Sequence, residues 1–475
     1  MNSAGRMVIR ILVAISLAAI VLAAMVAPAL AQQGPQLGVT NFGGYSDQPD
    51  VAIDSQGNVH IVYFYSELGW WHPNYNYREI WYTMLDNNGN TLIDHTMIST
   101  DDGHNSVHPA IAIDSNDMVH IVWQDYDGDK IAYTKLDPNP AAGTVATLVD
   151  DITLVTAIFY GLHHPRIAVD SNDDIHIVWD DYYYGDICYM KIDNNGSELV
   201  SPTVIRDIPE NGTWYSRPDV AVDSNDNPHI TWNDNNSTME YEIYYMMLRG
   251  SDGDTLIDAT RITPDDGEKS KRQTIVVDGE DKVHIIWHDQ RGSTEIYYTK
   301  LDPSLDDQGG DSADEGVITI INDTMLTADD GEKSRAPQSA IQCGSYIHIT
   351  WYDDRDEGTD VYYMVLDTDG NIVVPETALT TLEDVTYSTS YGDNQPSLDV
   401  GSDGKAHTTW CGNRTGDYEI WYTTYQGPPC RTPPPVGGEA YPVNKASLLA
   451  PWIAVGVVLA GGISWYVLRR RRAQS

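Results

Sequence analysis

Seven histidines recur along the chain: His60, His120, His176, His229, His284, His348 and His407, at intervals of 60, 56, 53, 55, 64 and 59 residues. Each is followed three residues later by Trp, or by Tyr63 in the first copy. Imidazole moves protons and binds metals near neutral pH. Catalysis generally needs an asymmetric constellation, however, and a four-ligand metal site needs its donors close together. Histidines that recur once per unit at equivalent positions lie on a ring too wide for either. They read as architectural: each imidazole bonds a carbonyl or carboxylate of a neighbouring strand, and the ring at the third position on fills space between units.

Two further residue sets could do chemistry. Asp54, Asp114, Asp170, Asp223 and Asp278 each end a hydrophobic run, and Asp117, Asp173, Asp226 and Asp281 follow within the same turns. Calcium takes six to eight hard oxygens. A turn such as that of Asp223 and Asp226 supplies about two to four, so turn capping is the stronger reading and Ca2+ the weaker one. The second set is Arg291 in DQRGS, Arg355 in DDRDEG and Arg414 in GNRTG, at one offset after Trp in three consecutive units. Together with Trp70, Trp71 and His72 and the acidic loops beginning at Ser99, Thr263 and Thr327, they offer bidentate donors, acceptors and flat apolar surface. Those are the needs of a sugar or an anionic ligand. The shared offset also allows each arginine to pair with an aspartate of its own unit.

These residues must be positioned by the repeat that carries them. VAIDSQGNVHIVYF, IAIDSNDMVHIVWQ, IAVDSNDDIHIVWD, VAVDSNDNPHITWN, IVVDGEDKVHIIWH, SAIQCGSYIHITWY and LDVGSDGKAHTTWC are seven copies of one unit. Each reads as a strand, an Asp-rich turn, a second strand of alternating pattern, a third strand such as EIYYMML or DVYYMVL, and a less regular fourth. Four-stranded meanders of this length bury their faces only by packing on one another, and radial packing protects their edges. The expected fold is all-β, a seven-bladed β-propeller of four-stranded antiparallel blades spanning 32–426. The last unit lacks a fourth strand, so Gln36–Phe42 is expected to supply it and close the ring.

The ends differ in character. Arg6 and Arg10, a long apolar run and small residues at Ala29 and Ala31 give the pattern of a signal peptide over 1–31. A Pro- and Gly-rich spacer over 427–446 leads to an apolar transmembrane span over 447–468, and the basic tail 469–475 should stay cytoplasmic. The bulk of the chain is thus expected outside the cell, held at the membrane by one helix. Of 28 Lys and Arg, six lie in the terminal segments, leaving 22 against 70 Asp and Glu in the middle, a balance of −48. Nucleic acid is a poor partner for such a surface. Acceptor triplets for N-glycosylation stand at Asn195, Asn211, Asn235, Asn236, Asn322 and Asn413. Of the four cysteines, Cys188 and Cys343 fit buried strand positions, while Cys411 and Cys430 flank the last unit and would make a closing disulfide.

The repeated hydrophobic-Ala-hydrophobic-Asp, VHIVW and IYY segments resemble the sialidase-like, BNR-type propeller repeat proteins of cell surfaces, over residues 36 to 426. The turn Ser224 to His229 departs from that family's Asp-box, with Asn and Pro in place of Asp and Gly and His in place of Thr. The resemblance therefore implies a shared scaffold more than a shared activity. Three arginines that clamp a carboxylate are a feature of sialidases, which makes Arg291, Arg355 and Arg414 tentative ligand residues; a Tyr and Glu nucleophile pair and an acid catalyst are not identifiable. The expected function is binding of an extracellular glycan or protein. The alternatives are glycosidic cleavage of sialidase type and a structural role in the cell envelope.

Overall fold

The computed structural model describes residues 33–41, 43–67, 78–126, 129–156, 161–181, 185–207, 216–235, 241–303, 317–355, 358–380, 395–413 and 417–430. The expected leader, spacer, membrane span and basic tail lie outside them, as do Trp70, Trp71, His72, Arg414, Asn211 and Asn236.

Seven four-stranded antiparallel sheets follow one another along the chain, and in the first six the strands pair in sequence order. These blades cover residues 45–97, 106–156, 162–206, 219–261, 270–325 and 334–378. Blade 7 joins Ser397–Val400, Lys405–Gly412 and Glu419–Gln426 to Leu37–Gly38 from the other end of the chain. Leu37 pairs with Tyr422 and Gly38 with Trp421, and Ile420 N donates to Thr40 Oγ1 at 2.8 Å. The first strands of successive blades touch in cyclic order, that of blade 7 reaching back to blade 1. They therefore line the axis.

Alternation in the second and third strands sends large side chains to both faces of each sheet, so every blade must pack on two neighbours. The buried apolar side chains form seven clusters, each drawing on two adjacent blades, one cluster at every seam. Trp123, Trp179, Trp232, Trp287, Trp351 and Trp410 are fully buried there.

The histidines belong to this frame. All seven are fully buried. His60, His120, His176 and His284 direct Nε2 at Asp54, Asp114, Asp170 and Asp278 at 3.3, 3.2, 3.1 and 3.0 Å. A carboxylate only accepts, so Nε2 carries the proton and Nδ1 accepts from a third-strand hydroxyl: Tyr82, Tyr133, Tyr189 and Tyr298, at 2.8 to 2.9 Å. His229 and His407 bond Tyr245 and Tyr422 in the same way. In blade 6, Gln342 Oε1 replaces the aspartate beside His348 at 2.8 Å.

The turn carboxylates are equally engaged. Asp223 accepts from the backbone N–H of Asn225 and Asn227 at 2.9 and 2.8 Å, and Asp226 accepts from Ser171 N and Asn172 Nδ2 of the preceding blade at 2.9 and 2.8 Å. Asp117, Asp173 and Asp281 receive Ser55, Ser115 and Ser224 likewise. One aspartate of each turn caps it and the other staples it to the blade before.

The disulfide differs from expectation. Cys430 is bonded to Cys343, in the turn between the first two strands of blade 6, and Cys411 is a buried free thiol, as is Cys188. Cys411 sits in the middle strand of blade 7 facing Ser46 O across the seam to blade 1. The chain after Gln426 instead runs beneath blade 6, where Gln342 Nε2 donates to Pro428 O at 2.9 Å. Cys343 is therefore the thiol within reach. Among the acceptor asparagines, Asn195 and Asn322 are exposed, Asn413 is half-buried and Asn235 lies in a strand.

Candidate functional site at the axial mouth

Arg291 and Arg355 do not converge. Each guanidinium is chelated by the aspartate two residues before it and by a carboxylate of its own blade's fourth strand. Arg291 donates to Asp289 at 2.9 and 3.1 Å and to Asp323 at 2.6 and 2.7 Å. Arg355 donates to Asp353 at 2.7 and 2.6 Å and to Glu376 at 2.5 Å. Asp266 and Asp330, from the acidic loops, approach the same arginines at 3.6 and 4.0 Å. The aspartates also accept from Trp287 and Trp351 Nε1 and from Ser270 and Ser334. Both arginines thus complete structural networks, and the pattern W-x-D-x-R marks them in sequence. In blade 7 the residue two after Trp410 is Gly412, so Arg414 lacks that partner type.

A different set of residues does converge. Shortly before each hydrophobic-Ala-hydrophobic segment, the first strand bulges. The pairing register shifts between Asp47 and Asp50, Val107 and Ala110, His163 and Arg166, Lys271 and Thr274, and Arg335 and Gln338. Gln48, His108, His164, Arg217, Arg272 and Ala336 take positive φ there, between 46 and 53°. Positive φ is uncommon for residues with a β-carbon, and a bulge re-aims the side chain it carries. Six equivalent bulges aim six different residues at one end of the axis. This end carries the connections between second and third strands; the Asp turns and Cys430 lie at the other.

Two small clefts open there. One is lined by Gln48, Asp50, His108 and Ser397, the other by His164, Arg217, Asp219 and Arg272, and both include Arg166, Gln338 and Gln395. At about 30 and 20 Å³ each has room for a single polar group, so a sugar ring would rest above them. Below runs an axial channel of about 350 Å³ walled by the first strands. Arg166 reaches into it between two buried aspartates. Burial raises Asp50 and Asp219, and Arg166 is the leading charge opposing that rise in both. Each carboxylate also accepts an N–H of the next blade's inner strand, Ile111 N on Asp50 and Ile275 N on Asp219, at 3.0 and 3.1 Å. Among the described residues, no carboxylate oxygen lies within 4.0 Å of the Arg166 guanidinium.

The electrostatics of the mouth invert those of the whole chain. His108 is held down to about 3, first by burial, with Arg217 and Arg166 adding to the shift. His163 falls to about 4 through burial, then the balance of Asp180 against His108 and Arg217. His288 lies well below the ordinary range through burial, then Arg272, Lys271, Arg335 and Arg217. Lys271 drops to about 8 for the same two causes, burial and then Lys269, Arg272 and Arg217. Neutral imidazoles therefore stand among permanent cations. Their rings are close, His108 to His164 at 4.6 Å and His163 to His164 at 5.7 Å. Asp180 orients His164, accepting Nδ1 at 2.9 Å while it also accepts Ser216 N.

Aromatic rings stand at the rim: Tyr126 is 52% exposed with its ring 5.8 Å from His163, and Tyr241 carries Lys271 Nζ 3.6 Å above its ring. Away from the axis, Asp102, His104 and Asp125 bring ligand atoms within 4.8 Å of one another, but Lys130 Nζ lies 2.9 Å from Asp125 and already neutralises that group.

The mouth was not legible as a site in the sequence because its residues differ from blade to blade. The usable signal was position: the residue before Pro49, Pro109, Pro165 and Pro218, and its counterparts Arg272, Ala336 and Gln395.

No protein-family model and no curated protein matches the sequence. Solved structures do match. An ulvan lyase of polysaccharide lyase family PL25, bound to a GlcA(1-4)Rha3S unit, shares 11% identity over 83% of this chain and 96% of its own, with a TM-score of 0.53. The α-L-arabinanase of Penicillium chrysogenum shares 12% identity over 70% of this chain and 98% of its own, at 0.45. The NanB sialidase of Streptococcus pneumoniae shares 10% identity over 82% of this chain and 70% of its own, at 0.42. The scaffold is a seven-bladed propeller like theirs; at these identities the likeness is one of fold.

Proposed function

We propose that this propeller binds an acidic glycan at its axial mouth, with a carboxylate or sulfate group seated on Arg166, Arg217 and Arg272 and a sugar ring against Tyr126. One observation carries the reading: a chain with a formal charge of −42 concentrates cations at one end of its axis until they depress one another's neighbours, Lys271 to about 8. Like charges held together in a partly desolvated cleft cost stability, and an anion that docks there recovers it. Planar guanidinium groups match oxyanions bidentately. A glycan is favoured over a smaller anion by the exposed rim aromatics, and the ulvan lyase, whose ligand is an acidic saccharide, supports the class.

The signal and membrane segments remain part of the proposal: the chain is exported and tethered by the helix over 447–468. Because Cys430 is pinned to Cys343 at the end opposite the mouth, such a tether would leave the mouth open to the outside.

Calorimetric titration of the full chain in detergent with oligogalacturonides and with neutral cello-oligosaccharides tests the reading. Binding of the acidic series alone, lost in Arg272→Ala, is expected. Equal binding of both series, or of neither, overturns it.

A further inference from the structure

Lys271 lies one residue from the bulge of blade 5, opposite His288 in the pairing register. Its surroundings are unusual for a lysine in so acidic a chain. Among the described residues no carboxylate pairs with it; the one printed contact of its ammonium is the face of Tyr241 on blade 4, at 3.6 Å. A lysine packed on an aromatic face, half-buried and ringed by Lys269, Arg272 and Arg217, has three reasons to lose its proton and no anion to keep it. This is the environment that converts a lysine from a point charge into a nucleophile.

We propose that Lys271 is a nucleophilic amine that condenses reversibly with the carbonyl carbon of an anionic aldehyde or ketone, such as the open-chain reducing end of an acidic sugar or a 2-oxo acid. The neutral ε-amine attacks the carbonyl carbon, and the C=O π electrons pass to oxygen. The carbinolamine then loses that oxygen as water together with both amine protons, giving a C=N bond. No oxidant or reductant takes part. Arg272 and Arg217 supply the field that draws in the anionic end. With an amine held near 8, about a tenth is neutral at pH 7, against well under a thousandth for an ordinary lysine. The ligand class rests on the acidic-glycan reading; the reactivity rests on the lysine's own surroundings.

The test uses the full chain, limiting glyoxylate and cyanoborohydride at pH 7, with peptide mapping of the carboxymethylated lysines. Labelling of Lys271 at least roughly tenfold faster than of exposed Lys333 is expected, allowing for the lower intrinsic nucleophilicity of a weaker base. Neutral glycolaldehyde should show less of that preference. Lys271→Arg, which keeps the charge, should remove the fast-labelling peptide and leave the melting temperature within a few degrees. Labelling that simply follows exposure overturns the inference, and because this is read on the unaltered protein it does not depend on the variant folding. Oligogalacturonide binding with labelling by exposure would remove the Lys271 inference alone. Selective labelling without oligogalacturonide binding would remove the glycan reading alone.

Discussion

An arginine replaced at the mouth and an arginine replaced in a blade should fail in different ways. Arg272→Ala removes a ligand-facing cation, and oligogalacturonide affinity is expected to fall about tenfold or more, on the order of 1.4 kcal/mol. Stability should hold or rise, since the mutual repulsion recorded at Lys271 is relieved. Arg291→Ala instead leaves Asp289 and Asp323 facing each other without their shared partner. The expected loss is about 2–4 kcal/mol of stability with affinity unchanged. Paired calorimetric titrations and urea melts would read both, and a drop in affinity for Arg291→Ala would return that residue to the site. Glu242 offers a pH test at the same scale. Burial lifts its carboxyl to about 7, opposed by the Thr263 hydroxyl at 2.5 Å. A raised carboxyl pKa means that the folded state holds the proton more tightly, so its contribution is complete below about 4.3 and is lost as pH rises through 7. Glu242→Gln, a permanent mimic of the protonated acid, should therefore gain about 1–2 kcal/mol over wild type at pH 8 and nothing at pH 4. Urea midpoints at the two pH values decide it; an advantage of equal size at both would show that ionisation is not the cause.

Strands, turns and the closing segment were legible because each obeys a local rule repeated seven times. The Asp turn, the period-two second strand and the missing fourth strand of the last unit all predict elements found at those places, down to Leu37–Gly38 on Glu419–Gln426. Partnerships were legible only where spacing encodes them. The W-x-D-x-R pattern contains its own ion pair, whereas the hydroxyl on each histidine comes from a third strand some 13 to 22 residues away. The mouth was hidden for a stricter reason: an alignment rewards sameness, and the bulge position holds Gln48, His108, His164, Arg217, Arg272 and Ala336. The disulfide went astray because Cys343 looks like a strand residue until blade 6 is seen to turn there, at φ 50°. At the scale of the element, Asp170 is the strongest test. It accepts from His176 at 3.1 Å, Lys191 at 2.8 Å and the turn N–H groups of Asn172 and Asp174, which together hold its carboxyl well below the usual range despite burial. Lys191 passes on to Gly250 O of blade 4, so the carboxylate ties turn, blade and seam. Asp170→Ala leaves a buried ammonium with Asp174 alone, and a loss of about 3 kcal/mol or more in urea melts is expected. A loss under about 1 kcal/mol would show that the seam is held by packing and not by this network.

For the whole molecule, the balance between local and global charge makes a prediction that neither scale makes alone. The formal charge of −42 repels an acidic glycan at long range, while the cations around Arg166, Arg217 and Arg272 attract it at contact. Salt screens these unequally. The Debye length falls from about 30 Å at 0.01 M to about 10 Å at 0.1 M and about 3 Å at 1 M. The first change removes most of the repulsion from carboxylates spread over the blades and leaves the contacts of a few ångströms largely intact; the second weakens the contacts themselves. Oligogalacturonide affinity should therefore pass through a maximum near about 0.1 M salt, with the association rate rising on the low-salt side and the dissociation rate rising on the high-salt side. Fold stability should increase across the same range, because self-repulsion of the acidic surface is relieved throughout. Surface-plasmon kinetics on the immobilised chain, with melts in parallel, separate the three trends. A monotonic fall in affinity from the lowest salt would mean that the mouth governs the field far beyond its own radius and that the acidic blades are electrically silent toward the ligand. A monotonic rise would mean that no cationic contact forms at all, and the mouth would lose its claim to the glycan.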